Sequence, residues 1–318
     1  MDVVTAGETM ALFTPDQKGL MRYAHSYSRK FGGAESNMAI GLARLGHQAG
    51  WISRVGEDEL GKAMLHFIRG EGVNTDRVTL DAEAPTGLYF KEFRKAGDIR
   101  VQYYRKGSAA SRMSTEDIDE NYIKQAKYLH ISGITPALSD TCQKMLFEAI
   151  KIAKRNGVKV VFDPNLRRSL WSEEEARETL LALAAKADII LPGLAEGAFL
   201  FETEDPAELG RLFLQQGAEE VVLKAGDHGT YYFHNEGSKF VPAFSVDTVV
   251  DPVGAGDGFA AGYLSGLLDN LSPTEAIRRG NAVGALVTQA EGDVEGLPER
   301  ADVESLVNEN ISTEDVQR

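Results

Sequence analysis

Strand-like and helix-like segments alternate along the second half of the chain, and this alternation constrains the fold more than any other feature. The segments rich in β-branched residues predict strands at 127–134, 158–165, 187–192 and 219–226. The helices predicted between and after them cover about 139–156, 173–186, 206–216 and 273–290. This order is typical of an α/β fold, a mostly parallel sheet with helices on both faces. Ligands of such sheets bind beyond the carboxyl ends of the strands.

The first third of the chain does not follow this alternation. Residues 86–107 alternate polar and apolar side chains, which predicts two antiparallel strands joined at the AGD segment, 96–98. An earlier segment, SYSRKFGGAESN, changes from strand-like to helical at about Ala34. We therefore expect strands within about 10–33 and 86–112 to form a small β-sheet that covers the functional site as a lid.

No internal repeat or low-complexity linker divides the chain. Apolar residues make up 43% of the 318 positions, which is enough for a full hydrophobic core. We expect a single domain over residues 1–310, followed by a frayed acidic tail over 311–318.

Charge and cysteine content argue against several classes of protein. The formal net charge of −14 disfavours a nucleic acid partner, which requires a basic surface. No apolar segment approaches the ~18 residues of a membrane-spanning helix, so no membrane partner is expected, and the first residues lack the pattern of a secretory signal. Cys142 is the single cysteine, so no disulfide can form within the chain. We expect a reducing, cytoplasmic location.

A glycine-rich turn with one carboxylate, GAGDGF at 254–259, precedes an apolar helical segment. Small side chains leave the N–H groups of Ala255, Gly256 and Asp257 accessible at the helix start, where the macrodipole adds positive charge. This pattern predicts an anion hole for a phosphoryl group. The helix end also favours an ionised Asp257, which could accept a proton from an attacking hydroxyl. Alternatively, Asp257 only caps the helix, and the glycines only allow close packing.

Two further glycine-containing segments point to a family. Lys224, Gly226 and Gly229 form a predicted turn between strands, and FGGAESN places Asn37 in the first turn of a helix. The segments GGAESNMAIGLARLG and DPVGAGDGFAAGYL resemble the N-terminal and C-terminal signatures of the ribokinase-like (PfkB) carbohydrate kinases. The resemblance extends over nearly the whole chain. It implies the ribokinase-like fold, with ATP and Mg²⁺ as cofactors.

The resemblance also implies roles for single residues. Asp257 matches the family's catalytic base, and Gly254, Ala255 and Gly256 match the turn that stabilises the transferring phosphate. The implied nucleotide contacts are Asn165, Lys224, Gly226, Gly229, Gly254, Gly256 and Asn281.

Metal ligation is where the sequence departs from the family pattern. Glu196 is placed to contact Mg²⁺ through water, but Gly193 stands where many members carry an asparagine. Analogy with the family also allows a monovalent cation near Asp251.

Aromatic and arginine residues of the predicted lid indicate the substrate class. Strand alternation places Tyr103 and Arg105 on one face, with Tyr89 on the neighbouring strand. Arg167 follows a predicted strand end and approaches from the scaffold. Because a guanidinium group matches a carboxylate with two parallel hydrogen bonds, two converging arginines favour an anionic substrate. Alternatively, Arg105 and Arg167 form surface salt bridges in an acidic protein.

Three segments sharpen this expectation. YYRKGSA, HISGITPAL and DPNLRRSLW resemble the members of the family that act on the sugar acid 2-keto-3-deoxygluconate. The resemblance implies transfer of a phosphoryl group from ATP to the C6 hydroxyl, giving 2-keto-3-deoxy-6-phosphogluconate. The implied substrate contacts are Gly33, Asn37, Tyr89, Tyr103, Arg105, Arg167, Asp257 and Asp293.

Other functions remain open from the sequence. A fructokinase or ribokinase would share the signatures but act on a neutral sugar, and a sensor would bind nucleotide and sugar without turnover. A nicotinamide enzyme is disfavoured, because the glycine pattern lies in the last third of the chain and lacks the GxGxxG spacing. Unpaired edges of the lid strands predict a homo-oligomer.

Overall fold

The computed structural model describes residues 1–95 and 98–316, and it confirms the predicted α/β class. The strands are β1 (Val3–Ala6), β2 (Met10–Pro15), β3 (Tyr27–Gly32), β4 (Ala49–Gly56), β5 (Asn74–Asp81), β6 (Leu88–Lys95), β7 (Asp98–Tyr104), β8 (Tyr128–Ser132), β9 (Lys159–Asp163), β10 (Ile189–Ile190), β11 (Glu220–Lys224), β12 (Gly229–His234) and β13 (Gly237–Pro242). The helices are α1 (Ala34–Arg44), α2 (Glu59–Gly70), α3 (Glu120–Ile123), α4 (Asp140–Arg155), α5 (Glu173–Ala184), α6 (Leu194–Phe201), α7 (Pro206–Gln216), α8 (Ala255–Leu268), α9 (Pro273–Val287) and α10 (Arg300–Val316).

The large sheet has the strand order β13-β12-β11-β10-β9-β8-β1-β4-β5. Strands from β11 to β5 pair in parallel, whereas β12 and β13 are added antiparallel at one edge. Because β1 lies between β4 and β8, the chain adds later strands on both sides of it. Ligand sites in such sheets lie beyond the carboxyl ends of the strands, next to this switch point. The residues that follow β1, β8 and β9 are therefore the first candidates for a site.

Helices cover both faces of the large sheet, because successive strand residues point to opposite faces. Val3 belongs to a buried cluster that includes Trp51 and Tyr263, on the side of α1, α8 and α9. Val4 belongs to a second cluster with Phe162 and Leu146, on the side of α4, α5 and α7. Two cores of this kind hold the sheet rigid beneath any site at its edge.

The second sheet has four strands in the order β3-β2-β6-β7 and agrees with the predicted lid strands. Strands β6 and β7 pair antiparallel, with Tyr89 opposite Tyr103. Residues 96–97 of the predicted AGD turn lie outside the described part of the chain.

Several boundaries differ from the sequence expectations. The strand predicted at 187–192 shortens to β10, and the helix predicted to end near 290 ends at Val287. The tail predicted to fray from 311 has helical backbone through Val316. The segment RADVESLVNENISTEDV contains neither glycine nor proline to interrupt that helix. Within the described residues, no helix is both long and apolar enough to cross a membrane.

Candidate active site

Asp257 lies in the first turn of α8, and Gly254 is the N-cap residue of that helix. Gly254 has φ +86°, a conformation that favours glycine, and a Cβ there would lie 2.7 Å from the carbonyl oxygen of Asp293. The helix has no side-chain cap, so the capping bond considered for Asp257 is not formed. Its carboxylate is instead held by side chains from other elements.

The N-termini of α1 and α8 meet at this carboxylate. The backbone N–H of Gly33, the N-cap residue of α1, donates to Oδ1 of Asn37 across 3.2 Å. This bond fixes the amide so that its Nδ2 donates to Oδ2 of Asp257 across 2.8 Å. Nδ2 of Asn165 lies 3.5 Å from Oδ1 of Asp257. A Cβ at position 33 would lie 2.2 Å from the carbonyl oxygen of Glu8, so the close approach of this turn requires glycine.

Burial raises the pKa of Asp257 to about 7. The hydrogen bond from Asn37 and the charge of Arg167 lower the pKa, while the carboxylates of Asp163 and Asp293 raise it further. The sequence indicated that the helix end favours the ionised form, whereas burial instead favours the protonated form of this carboxyl group. A carboxyl group with a pKa near neutral pH is well matched to general base catalysis.

A cleft of about 410 Å³, which we call the lid chamber, opens beside Asp257 between the two sheets. Its lining contains thirteen of the residues singled out from the sequence: Gly33, Asn37, Tyr89, Tyr103, Arg105, Asn165, Arg167, Glu196, Lys224, Gly254, Gly256, Asp257 and Asp293. The structure thus brings residues from both ends of the chain to one cavity.

Tyr89 and Tyr103 form the aromatic wall of the lid chamber. Their rings stack with centroids 5.6 Å apart, as expected for cross-strand neighbours on one face of the small sheet. The hydroxyl of Tyr89 donates to Oδ2 of Asp293 across 2.6 Å, and burial together with that carboxylate raises the pKa of Tyr89 well above its usual value. Tyr103 is 41% exposed, so its ring lies at the mouth of the chamber.

Arg105 and Arg167 differ in how their charges are balanced. Arg105 is buried, and its Nε and Nη2 both donate to Oε2 of Glu8, at 2.7 and 2.5 Å. Ser108 donates to the other oxygen of Glu8, at 2.5 Å. Arg167 is an exposed residue that also lines the chamber. Both arginines line the chamber, as the sequence indicated, but Arg105 is already ion-paired within the protein, and Arg167 is the more available of the two.

A second charged cluster lies where the lid chamber meets the strand ends. Nζ of Lys224 donates to Oδ2 of Asp163 across 2.6 Å. Burial lowers the pKa of Lys224, but the carboxylates of Asp163 and Glu196 raise it more, so the ammonium group stays charged. Burial and then Asp163 raise the pKa of Glu196, whose oxygens accept the N–H groups of Gly193 and Leu166 at 2.7 and 2.8 Å.

A second cavity of about 480 Å³, the edge chamber, adjoins the first and shares Lys224, Pro252 and Gly256 with it. Besides Lys224 and Gly256, three more of the residues expected to contact nucleotide line it: Gly226, Gly229 and Asn281. Its remaining lining is largely apolar and includes Phe244, Val246, Val249, Ala255 and Phe259.

The side chain of Asn281 is already engaged. Its Oδ1 accepts from Thr230 at 2.7 Å, and its Nδ2 donates to the carbonyls of Pro242 and Val241 at 3.0 and 3.3 Å. We therefore expect Asn281 to shape the edge chamber by holding β12 and β13, rather than to donate to a ligand.

Analogy with the family allowed a monovalent cation near Asp251. Asp251 is fully buried. Its carboxylate forms an ion pair with the ammonium group of Lys91, a residue of β6. That position therefore already holds a positive charge supplied by the chain.

Three residues of the site were not identified from the sequence: Glu8, Lys91 and Asp163. Glu8 follows β1 and Asp163 ends β9, so the strand-end rule could have found both. Lys91 lies two residues beyond Tyr89 in β6, and strand alternation places it on the same face.

The fold, the helix N-terminus beside a buried carboxylate and the two adjoining chambers define a phosphotransferase that acts on an alcohol group. The chain belongs to the pfkB family of carbohydrate kinases, whose model matches residues 1–300. It is 43% identical over 310 residues to a 2-dehydro-3-deoxygluconokinase of Bacillus subtilis (strain 168), covering 97% of this chain and 96% of that one.

Two solved structures extend the comparison to the fold. A 2-dehydro-3-deoxygluconokinase from Thermotoga maritima superposes with a TM-score of 0.90 at 27% identity, covering 97% of this chain and 98% of that one. A protein from E. coli titled a ribokinase II, in complex with ATP and Mg²⁺, gives a TM-score of 0.89 at 27% identity, with 97% and 99% covered. The resemblance to ribokinase-like kinases is thereby confirmed.

Proposed function

We propose that this kinase phosphorylates the C6 hydroxyl of 2-keto-3-deoxygluconate, with ATP as the phosphoryl donor. The observation that carries the proposal is that the Asp257 carboxylate and the Arg167 guanidinium group line one lid chamber. The Asp257 carboxylate supplies a base for a hydroxyl, and the Arg167 guanidinium group supplies a cation for the carboxylate of a sugar acid. The name of the Bacillus subtilis relative supports the same substrate class.

The adjoining edge chamber fits the nucleotide. Its apolar walls suit a flat base, and it meets the lid chamber at Gly256, in the first turn of α8. Helix geometry leaves the first-turn N–H groups without a carbonyl partner in the helix, so they face the place where phosphate oxygens would arrive. If residue 256 carried a Cβ atom, the nearest atom to it from another element would be Nζ of Lys224, 3.8 Å away. The space beside Gly256 therefore leaves room for a phosphate.

The residues at the junction of the chambers fit Mg²⁺ bound mainly by phosphate and water. Among the described residues, no group of three or more His, Cys, Asp or Glu side chains forms a metal cage. Asp163 and Glu196 would instead hold the ion through water, the usual arrangement for Mg²⁺ at a nucleotide. When bound, Mg²⁺ neutralises charge on the phosphates.

In the proposed reaction, Asp257 accepts the proton of the C6 hydroxyl while the oxygen attacks the γ-phosphorus in line. The bond between the γ-phosphorus and the leaving oxygen breaks, and ADP departs. The N–H groups of Gly256 and Asp257 stabilise the charge on the transferring group, and Lys224 adds a positive charge beside it. Asn37 orients the base. The Tyr89–Tyr103 wall excludes water from the sugar.

A substrate panel with coupled detection of ADP tests this proposal. We expect turnover with 2-keto-3-deoxygluconate, and a kcat/KM at least about 100-fold lower with fructose or ribose, because a neutral sugar has no carboxylate to form an ion pair with Arg167. Preference for a neutral sugar would indicate a fructokinase or ribokinase. ATP binding without ADP release from any sugar would indicate a sensor.

We also propose a homodimer through the outer face of the small sheet. Phe90 points away from the lid chamber and contacts the rings of Phe13, Tyr27 and Tyr104, of which Tyr104 is 55% exposed. An exposed aromatic patch of this kind, between open strand edges, is typical of an interface.

Sedimentation velocity tests the dimer. We expect Tyr104→Glu to produce monomers. The matched control is Phe240→Glu, which alters an exposed aromatic residue on β13 and should leave the dimer intact. A wild-type monomer at micromolar concentration would contradict the proposal.

We also propose a reducing, cytoplasmic location, with which the free, buried Cys142 is consistent.

A further inference from the structure

A buried ammonium group links the small sheet to the loop that precedes α8. Lys91 of β6 is 1% exposed, and its Nζ contacts the carboxylates of both Asp251 and Asp293, the latter at 3.1 Å. Asp251 is fully buried and Asp293 nearly so. One positive charge therefore lies between two negative charges, at the wall of the lid chamber.

Both Asp251 and Asp293 contact backbone that shapes the glycine turn. Oδ1 of Asp251 accepts the N–H of Val253 across 3.1 Å, and its Oδ2 accepts the N–H of Gly292 across 3.2 Å. The carbonyl oxygen of Asp293 packs directly against Gly254. The conformation of the turn at the start of α8 is thus fixed from two sides, by the two residues that Lys91 joins.

The charge balance shows why a cation is needed there. Without the ammonium group, two buried carboxylates would lie without a counter-charge beside the turn that must receive phosphate. Such charges repel each other and an arriving anion strongly, because little water is present to screen them. The loop would relieve this repulsion by moving, and the anion hole would be lost.

We propose that Lys91 is a positioning residue for phosphoryl transfer: its ammonium group acts as a built-in monovalent cation that holds the 251–257 loop in its anion-binding conformation. The inference rests on the proposed function, in which this loop receives the transferring phosphate. Because the cation is covalently attached, the enzyme needs no dissolved monovalent cation at this position.

The proposal makes a distinctive prediction about rescue. Lys91→Ala would leave a space lined by two carboxylates, which suits ammonium, methylammonium or K⁺. Lys91→Met is the matched control, because it removes the same charge but fills the space with an apolar chain. A merely structural lysine would make both variants equally defective and neither restorable.

The experiment measures ADP release at constant ionic strength in tetramethylammonium chloride, with ammonium, methylammonium or potassium chloride replacing part of that salt. The acceptor is whichever carbohydrate the wild-type enzyme phosphorylates best, so a wrong substrate proposal does not affect the outcome. We expect the wild-type rate to change by less than about twofold between salts. We expect Lys91→Ala to lose about 100-fold in kcat, with KM for the acceptor changed far less.

Added ammonium or methylammonium should raise the kcat of Lys91→Ala about tenfold, and this increase should saturate with the concentration of the cation. The same cations should not raise the kcat of Lys91→Met. The proposal is overturned if Lys91→Ala keeps a kcat within about threefold of wild type, or if both variants respond alike to added cations. If Lys91→Ala does not fold, the rates of the wild-type enzyme in the different salts test the proposal on their own. A loss of about fivefold or more when K⁺ is replaced by tetramethylammonium would then overturn the proposal, and an unchanged rate would support it.

Discussion

The amide of Asn37 and the carboxylate of Asp257 are joined by a hydrogen bond of 2.8 Å, although 220 residues separate them in the chain. The bond connects the first turns of α1 and α8 and stabilises the ionised form of the carboxyl group. Through it, Asn37, which does not itself titrate, widens the pH range in which the proposed base is ionised.

Removing this bond should shift the pH dependence of the reaction. In Asn37→Ala, the pKa of Asp257 rises, so the acid limb of the kcat/KM profile should move to higher pH by about 0.5–1 unit. Asn165→Gly is the control: it deletes the longer contact of 3.5 Å and, as glycine, tolerates the positive φ of 38° at that position. A shift in the control as large as that in Asn37→Ala would contradict the assignment.

Replacing the base itself should abolish turnover without unfolding the protein. We expect Asp257→Asn to lower kcat by about 10²–10⁴-fold, the usual contribution of general base catalysis. Asp205→Asn, at the start of α7, makes the same change at a helix N-terminus outside both chambers and should leave kcat unaltered. If Asp257→Asn kept about a tenth of the wild-type kcat or more, Asp257 would not be the general base.

The same substitution should stabilise the fold at alkaline pH. The pKa of Asp257 rises from 3.8 to about 7 on folding, so the native state binds the proton more tightly than the unfolded state does. The free energy of unfolding therefore falls as pH rises from about 4 to 7 in wild type. Asp257→Asn should remove this loss and be more stable by about 2–4 kcal/mol at pH 8, with little difference near pH 4. Denaturant titrations at the two pH values measure it, and an equal effect at both would contradict the pKa.

Arg167→Ala should impair binding of the sugar acid selectively. We expect the KM for 2-keto-3-deoxygluconate to rise by about 10–100-fold, with the KM for ATP changed by less than about threefold. Arg168→Ala is a close control, because Arg168 is the adjacent exposed arginine and instead pairs with Glu173. Equal changes in both KM values would show that Arg167 does not recognise the carboxylate.

Gly254→Ala should damage both stability and activity. Its positive φ and its contact with the Asp293 carbonyl both exclude a side chain. Gly237→Ala separates the two effects, because Gly237 has φ +147° in open space at the β12–β13 turn. We expect a stability cost of about 1 kcal/mol in the control, with normal kcat, and a larger cost plus a loss of about 100-fold in kcat in Gly254→Ala. Normal activity of Gly254→Ala would contradict the anion hole.

The sequence was sufficient to predict features that depend on local pattern. The α/β class follows from strand and helix periods, and the position of Tyr89 on the strand beside Tyr103 follows from strand alternation. The turn at Gly254 follows from small residues before an apolar helix.

Partnerships across long stretches of chain could not be predicted in this way. Arg105 pairs with Glu8 over 97 residues, and Lys91 with Asp251 over 160. No local period encodes such pairs, because they depend on how the small sheet docks onto the large one. For the same reason, the sequence indicated that two arginines approach the chamber but not that one of them, Arg105, is neutralised by its partner Glu8.

The groups proposed to carry out the chemistry and the tyrosine wall proposed to enclose the acceptor belong to different sheets. Asp257 and its turn lie at the start of α8, which packs against the large sheet, whereas Tyr89 and Tyr103 lie on strands of the small sheet. Mutational drift in the small sheet can therefore alter which alcohol is admitted while the transfer apparatus stays intact. Because Arg167 lies outside that sheet, redirecting the enzyme to a new acceptor requires grafting the small sheet from a relative, with its docking charges preserved, together with the residue at position 167.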